Sequence, residues 1–486
     1  MDEDRRRRSH GPADAMDTDC ISGLPDELLH DILLRLESTR AAARTSVLSR
    51  RWRHVWAHLP ELIFNGDGTD SDDSDGEDSV AAAAFLDTVD GALRTYSAPT
   101  IERIVISLPS GCPAAIPARR VGSWLRFASR HQVRTLSIDV PWLPTREAPP
   151  KAKVLVLPTF GTAQDISLDL GNRWQLRIRP ASVFRALTDL RIRSATMEAR
   201  VLEALVGSQC ARLSNLDLTV TLVAESDISL RSDSLETLSF CVDNTRRVEI
   251  IAPRMEELSV SQFYATEARI SAPKLAELVW EGNPDAFGSH IQFDDASRHL
   301  RVLEVSEISS SLMQRFDKVD ELRLVTVDIS KKIGEYNNFV NDTNNLPKCA
   351  TLSVSLYQNC HGFAPSMLQL LRKCNSVTSF TIDICWVDES SMKGPSCPLP
   401  CPCRLPESCK LDDITLDSLK MVAIHLDKES HEVVEFVKRL SQCNAAILKK
   451  VVIYYFNKSV NKRFCAKVRA VCRPNIKVKF IAFGSD

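Results

Sequence analysis

Four cysteines, Cys397, Cys401, Cys403 and Cys409, fall within thirteen residues and are the first candidates for chemistry. Zinc is usually held by paired C-x2–4-C knuckles separated by a loop. The spacing here is C-x3-C-x-C-x5-C with four prolines interleaved, which fits that geometry poorly. A proline-rich loop carrying free thiols is the better reading. His431-Glu432 opens like a zinc-protease motif, but position 435 is Glu, so the second histidine ligand is missing. No phosphate-binding loop, dinucleotide fingerprint or nucleophile elbow occurs. The expectation is a chain with no catalytic residues, no metal site and no cofactor.

Charge supplies the next candidates. The 61 basic and 63 acidic residues nearly cancel, at −2 over 486 residues, but they are unevenly spread. Asn65–Ser79 holds seven acids and no base, Arg40–Pro60 five arginines and no acid, and Phe436–Ser485 twelve bases and no acid. The last stretch includes Tyr454, Tyr455, Phe456 and Phe464. Basic residues mixed with aromatics can mark nucleic-acid binding. Here the aromatics fall in an apolar strand and on a helix stripe, so they are expected in the core, and nucleic acid is not expected as a partner. The run Arg5–Arg8 is flanked by acids and reads as a solvated tail.

Fifteen cysteines in 486 residues are too sparse for a disulfide scaffold and read as thiols in a reducing compartment. Apolar runs such as Ala81–Leu86 are far shorter than the ~18 residues of a membrane span. No membrane partner is expected. Nucleus and/or cytoplasm is the expected location.

The elements behind these residues are repetitive. A pattern of large apolar residues at positions 1, 4 and 6 recurs as Ile101-Ile104-Ile106, Val133-Leu136-Ile138, Leu187-Leu190-Ile192, Leu213-Leu216-Leu218, Leu235-Leu238-Phe240, Met255-Leu258-Val260, Leu275-Leu278-Trp280, Leu300-Leu303-Val305 and Val319-Leu322-Leu324. Most central positions are 19–32 residues apart, the period of leucine-rich repeats. The sharpest copies, IIAPRMEELSV (250–260) and ISAPKLAELVW (270–280), are offset by twenty residues. The last two apolar positions point to one face of a strand, and the first closes the turn before it. One unit cannot bury that face alone, so the units must stack into a solenoid with a parallel sheet along one side. In the twenty-residue units the return segments also read as extended, through Ile228-Leu230, Val248-Ile250 and Ala268-Ile270. Longer units carry helices, for example Met197–Val206 and Ser366–Lys373. The end of the chain reads helix, strand, helix, strand: Val434-Val437-Leu440, Val451–Phe456, Val460-Phe464-Val468-Val471 and Ile476-Val478-Phe480.

Residues 19–64 stand apart as three short helices. Pro25 sits where a helix can begin, followed by Asp26 and Glu27 in the first turn. Leu28, Leu29, Ile32, Leu33 and Leu36 make a broad apolar stripe. Ser38 or Thr39 can cap a second helix running to Leu48, and Ser49 a third that carries Trp52, Val55, Trp56 and Leu59. So small a unit buries little, and its surplus apolar surface is expected to await a partner.

This segment closely resembles an F-box, through D-x-I-S-x-L-P-D-E-L-L at 19–29, T-S-V-L-S-R-R-W-R at 45–53 and Leu59-Pro60. The resemblance implies docking onto a Skp-type adaptor and, through it, a cullin-RING E3 ubiquitin ligase. By position, the adaptor-facing residues would be Leu24, Pro25, Leu28, Ile32, Leu33, Val47, Leu48 and Trp52. With the repeats and a tail at 403–453 (CRLPESCKLDDITLDSLKMVAIHL, then HEVVEFVKRLSQCNAAILKKVVI), the chain resembles the plant F-box/FBD/LRR-repeat family. The implied fold is α/β: a three-helix F-box, an irregular leucine-rich-repeat solenoid with a parallel sheet, and a C-terminal αβαβ FBD-like cap. The expected domains are a tail at 1–18, the F-box at 19–64, an acidic linker at 65–79 setting how freely the two ends reorient, repeats at 80–395 and the FBD-like domain at 396–486. The implied role is substrate recognition for the ligase, with the repeats holding a target protein that the sequence does not name. The alternative is a repeat scaffold acting outside any ligase.

Overall fold

The computed structural model describes residues 24–36, 38–66, 77–110, 116–142, 153–282, 290–327, 343–357, 363–385, 414–456 and 459–483, together with Cys112 and Asn341. The four clustered cysteines and the Arg5–Arg8 run lie outside them.

Parallel strands stack from one end of the chain to the other. Their central apolar residues pair in a single unbroken row: Leu62, Ile104, Leu136, Ile166, Leu190, Leu216, Leu238, Leu258, Leu278, Leu303, Leu322, Leu352, Phe380, Val422, Val451 and Val478. All but the last are buried. A one-residue slip would turn a strand's apolar set to water, so the row itself fixes the register. Every triad read from the sequence is buried at all three positions.

The row also contains units that the sequence reading passed over. The 136–190 gap is filled by Ala163-Ile166-Leu168, where the turn position holds a small residue. Cys349-Leu352-Val354, Val377-Phe380-Ile382, Leu419-Val422-Ile424 and Leu448-Val451-Ile453 carry the pattern into the C-terminal region. The strand Ser379–Cys385 pairs directly with Met421–Leu426, so the C-terminal strands extend the repeat sheet.

Unit length limits what can close each coil. A coil of about twenty residues must cross the molecule and return. An extended chain covers ~3.3 Å per residue against 1.5 Å for a helix, so only a strand spans the return in so few residues. The short units accordingly form a second parallel ladder: Ile228, Val248, Ala268 and Ile291 pair in line, as do Leu230, Ile250, Ile270 and Phe293. Several longer units return through helices, such as Ala118–Arg130, Phe363–Lys373, His431–Gln442 and Lys462–Val471, while the two between Leu136 and Leu190 return through the paired strands Lys153–Leu157 and Trp174–Ile178. The helix expected over 197–206 begins at Ala199, because Met197 still belongs to the strand Asp189–Met197, and after Ala204 it continues as a π-helix over Leu205–Gln209.

Two expectations about the N-terminal region change. The helices α1 (Asp26–Leu34), α2 (Thr39–Arg44) and α3 (Arg50–Trp56) form as expected, but α2 gives way to a 3-10 turn at Thr45–Val47 before reaching Leu48. Ser38 caps α2 by accepting from the Ala41 amide at 3.4 Å, and Pro25 stands at the N-cap of α1. The larger change concerns residues 59–64. Leu59, Leu62 and Phe64 are the first repeat triad, and Glu61–Asn65 is the first strand, paired with Arg103–Ser107. The acidic segment therefore follows the first strand and does not separate the head from the repeats. Its last three residues already belong to the helix Glu77–Thr95.

The head is joined firmly to that first strand. The Thr39 hydroxyl accepts from the Ile63 amide at 2.6 Å, closing an outer-edge donor of the sheet. The Ser97 amide donates to Ala57 O at 3.0 Å, and the Tyr96 hydroxyl donates to Leu59 O at 2.7 Å. One continuous buried core runs from Leu29 through Trp56 into the solenoid.

Candidate partner interface

Residues four apart lie 40° apart around a helix, so α1 carries two apolar edges. Leu29 and Leu33 face inward and are buried. Leu28, Ile32 and the following Leu36 lie on the other edge, 47, 41 and 44 % exposed. Val47 and Leu48, in the turn ahead of α3, are 83 and 66 % exposed. A free surface with five such aliphatic side chains within 21 residues leaves uncollected roughly 1 kcal/mol or more per side chain.

Polar contacts hold this surface in shape. The Arg51 guanidinium at the start of α3 pairs with Asp26 at the start of α1, at 2.6 Å, and also donates to Leu24 O. It draws the turn containing Val47 and Leu48 toward the N-terminal end of α1. The hydrogen bond from Arg51 holds the Asp26 carboxyl below the usual carboxylate range. Further along, His30 Nε2 lies 3.0 Å from Val55 O.

The eight residues expected to face an adaptor separate into two groups. Pro25, Leu28, Ile32, Val47 and Leu48 are exposed and Leu24 is half-buried. Leu33 and Trp52 are buried in the head and support the surface from beneath. Leu36 was not among the eight, although the 28-32-36 spacing carried the signal.

A second apolar surface lies at the far end, and here too the expectation fails. Phe464 is in the core, but Phe456 is exposed and Tyr454 and Tyr455 are half-exposed. The helices cover only one face of the last strands. On the other face, Phe456 packs against Phe483 with centroids 4.6 Å apart, and His425 against Tyr454 at 4.7 Å. Asp383 anchors His425 at 2.8 Å. Phe456, Ile481 and Phe483 are all exposed. The last strand, Lys477–Phe483, adds Lys477 and Lys479 to this face.

Among the described residues, no group of three or more His, Cys, Asp or Glu is placed to hold a metal ion, and no helix is long and apolar enough to cross a membrane. His431 opens a helix capped by Ser430, and Glu435 is tied to Arg439 at 2.8 Å.

Comparison with known proteins places matches on both parts of the chain. Residues 21–64 match the F-box domain model, and residues 121–280 match a model described as FBD-associated F-box protein At5g56370, LRR repeats. Three relatives, all from Arabidopsis thaliana, illustrate the range. F-box/LRR-repeat protein 25 is 57% identical over 47 residues, 10% of this chain and 18% of its own length. F-box/FBD/LRR-repeat protein At2g04230 is 36% identical over 126 residues, 26% of each chain. Putative F-box/LRR-repeat protein At3g18150 is 24% identical over 400 residues, 76% of this chain and 78% of its own. Several of the better-matched relatives are covered over only about a quarter of their length.

Proposed function

We propose that this chain, an F-box protein with FBD-associated leucine-rich repeats of the plant type, is a non-catalytic adaptor of a Skp–cullin–F-box ubiquitin ligase. The head docks onto a Skp-type adaptor, and the repeats hold a target protein. One observation carries this reading: a head that matches the F-box leaves Leu28, Ile32, Leu36, Val47 and Leu48 in water on an otherwise well-packed unit. Covering them with a partner recovers the burial that the head lacks alone. The open aromatic face around Tyr454, Phe456 and Phe483 is the surface on which we place the target. The chain contributes position and no bond-making group: ubiquitin transfer speeds up when the target is held beside the loaded conjugating enzyme. Buried free thiols such as Cys210, Cys349 and Cys374 suit the reduced nucleus or cytoplasm.

The test is adaptor capture by the full-length chain carrying Leu28→Asp and Ile32→Asp. Both side chains are exposed, so the melting temperature should hold while capture falls more than tenfold. Undiminished capture by the double variant, or failure of the unaltered chain to capture any Skp-type adaptor, would leave only a repeat scaffold.

A further inference from the structure

The two ends of the sheet are finished differently. At the first strand, Glu61–Asn65, the head covers the outer edge: the Thr39 hydroxyl accepts from the Ile63 amide at 2.6 Å, and Leu62 is buried. At the last strand, Lys477–Phe483, one edge pairs with Lys450–Phe456. The Lys477 amide donates to Lys449 O at 2.9 Å, so the backbone groups of Lys477, Lys479 and Ile481 face the sheet. Those of Val478, Phe480 and Ala482 alternate with them and face away, toward no strand among the described residues.

The side chains of this strand are unfinished in the same sense. Val451 and Ile453 in the preceding strand are buried, whereas Val478 and Phe480, next along the same rows, are half-buried and Ala482 is exposed. Repeat arrays ordinarily close on a unit with a polar outer face; this one closes on Val478, Phe480 and Ala482. On the open face Lys477, Lys479, Ile481 and Phe483 are all exposed in one line. The charge here has one sign: Phe436–Ser485 holds twelve bases and no acid, and the Arg469 guanidinium lies 5.0 Å from the Phe480 ring. Asp383, in line with Ile481, is three strands inward and is engaged by His425.

We infer that this edge takes up an extended acidic segment of the bound target as one further parallel strand, with acids at positions n and n+2 beside Lys477 and Lys479. The inference rests on placing the target at this end of the sheet. Residues n and n+2 of a strand share a face, so both acids meet the lysines at about 5 Å across the pair. Apolar residues at n+1 and n+3 point the other way and continue the rows of Val478 and Phe480. Those at n+4 and n+6 lie against Ile481 and Phe483 on the open face. The outward groups of Val478, Phe480 and Ala482 call for donors and acceptors in alternation, which a peptide backbone supplies and a chain of phosphates does not. A second copy of this chain would bring its own Lys477 and Lys479 to the same edge, and edge lysines oppose such pairing. An acidic strand turns them from a barrier into partners.

Fluorescence anisotropy on the full-length chain tests this with a labelled seven-residue peptide carrying Glu at positions 1 and 3, Tyr at 5 and 7, and Val between them. In the inferred register the amides of its residues 3 and 5 donate to Val478 O and Phe480 O, and those of 2 and 4 point away. N-methylation at 3 and 5 should weaken binding at least tenfold, and at 2 and 4 less than threefold. Ala482→Pro removes an outward amide and no buried side chain; it should weaken binding at least fivefold at an unchanged melting temperature, while Ala482→Ser, which keeps the amide, binds as before. Lys477→Glu with Lys479→Glu should reverse the preference, toward a peptide with Lys at 1 and 3. Equal losses from the two N-methylated peptides, with binding still weakened by Phe456→Ala, would keep the target on the aromatic face and refute strand addition. The inference also falls if the unmodified peptide does not bind, if charge reversal changes nothing, if the chain forms a dimer that Ala482→Pro dissolves, or if single-stranded RNA displaces the peptide.

Discussion

Thr39→Val isolates the joint between head and repeats. Thr39 is buried, and its hydroxyl is the acceptor 2.6 Å from the Ile63 amide on the first strand. Valine keeps the volume and the β-branch, so no cavity opens and the helix propensity barely changes. What is lost is the acceptor, leaving an edge donor facing a methyl group. A buried unpaired amide costs about 1–3 kcal/mol. Ile63 is half-buried, so water can partly replace the hydroxyl and the lower end applies, about 1 kcal/mol. That is about a fivefold change in a local opening equilibrium. Amide hydrogen exchange resolved on the peptide 61–65 is the assay. Exchange there should speed up about fivefold, while the strand Glu257–Val260, far along the array, keeps its protection because coils contact only their neighbours. Thr39→Ser retains an acceptor and should keep most of the protection. Unchanged exchange at 61–65 in the valine variant, or equal acceleration in the serine variant, would show that the hydroxyl does not hold the two parts together.

Two further outcomes follow from charge and burial. Arg51 depresses the Asp26 carboxyl below 3.8, so their pairing contributes stability that is complete above that value and is lost as pH falls through the folded-state midpoint. The melting-temperature gap between the unaltered chain and Asp26→Asn should thus be full at pH 7 and close below pH 3.8; a gap constant across that range refutes the pairing. Burial raises the Cys349 thiol to about 12 and that of Cys374 to about 11, from a usual 9.0. At pH 8 the thiolate is then about a hundredfold scarcer at Cys374, and about a thousandfold scarcer at Cys349, than in a free cysteine. Iodoacetamide should spare both in the native chain and modify half-buried Cys465 ahead of them; prompt labelling of Cys349 would contradict its place in the core.

Between residues 101 and 324 the repeats were legible where their pattern was written in large residues, whereas Val377-Phe380-Ile382, Leu419-Val422-Ile424 and Leu448-Val451-Ile453 went unnoticed despite their size. Leu-x-x-Leu-x-Phe at 59–64 was equally plain in spelling, but it lies inside the segment that matches the F-box, so its second role as a repeat strand went unseen. Ala163 and Cys349 hid two units because a small turn residue weakens the pattern without preventing the coil. On α1, residues 28, 29, 32, 33 and 36 read as one broad stripe. Periodicity finds such a stripe but does not say which edge meets the core, and only the packing of α3 beneath Leu29 and Leu33 divides it. The same limit misplaced Tyr454 and Phe456. An apolar run in a parallel strand implies cover on both faces, and the last strands have helices on one.

The place of the first strand bears directly on how an adaptor of this kind would act. Only four residues separate the end of α3 at Trp56 from Glu61. The bonds from Thr39, Tyr96 and Ser97 leave that short span no freedom of its own. A flexible tether would let a bound target sample many positions, and its effective concentration at the conjugating enzyme would follow the tether's length. A head built onto the sheet's outer edge replaces that distribution with one geometry. Under the proposed function, a target lysine is then either within reach of the transfer site or not. Selection among lysines is consequently set by the curvature of the coils between Glu61 and the aromatic face near Phe483.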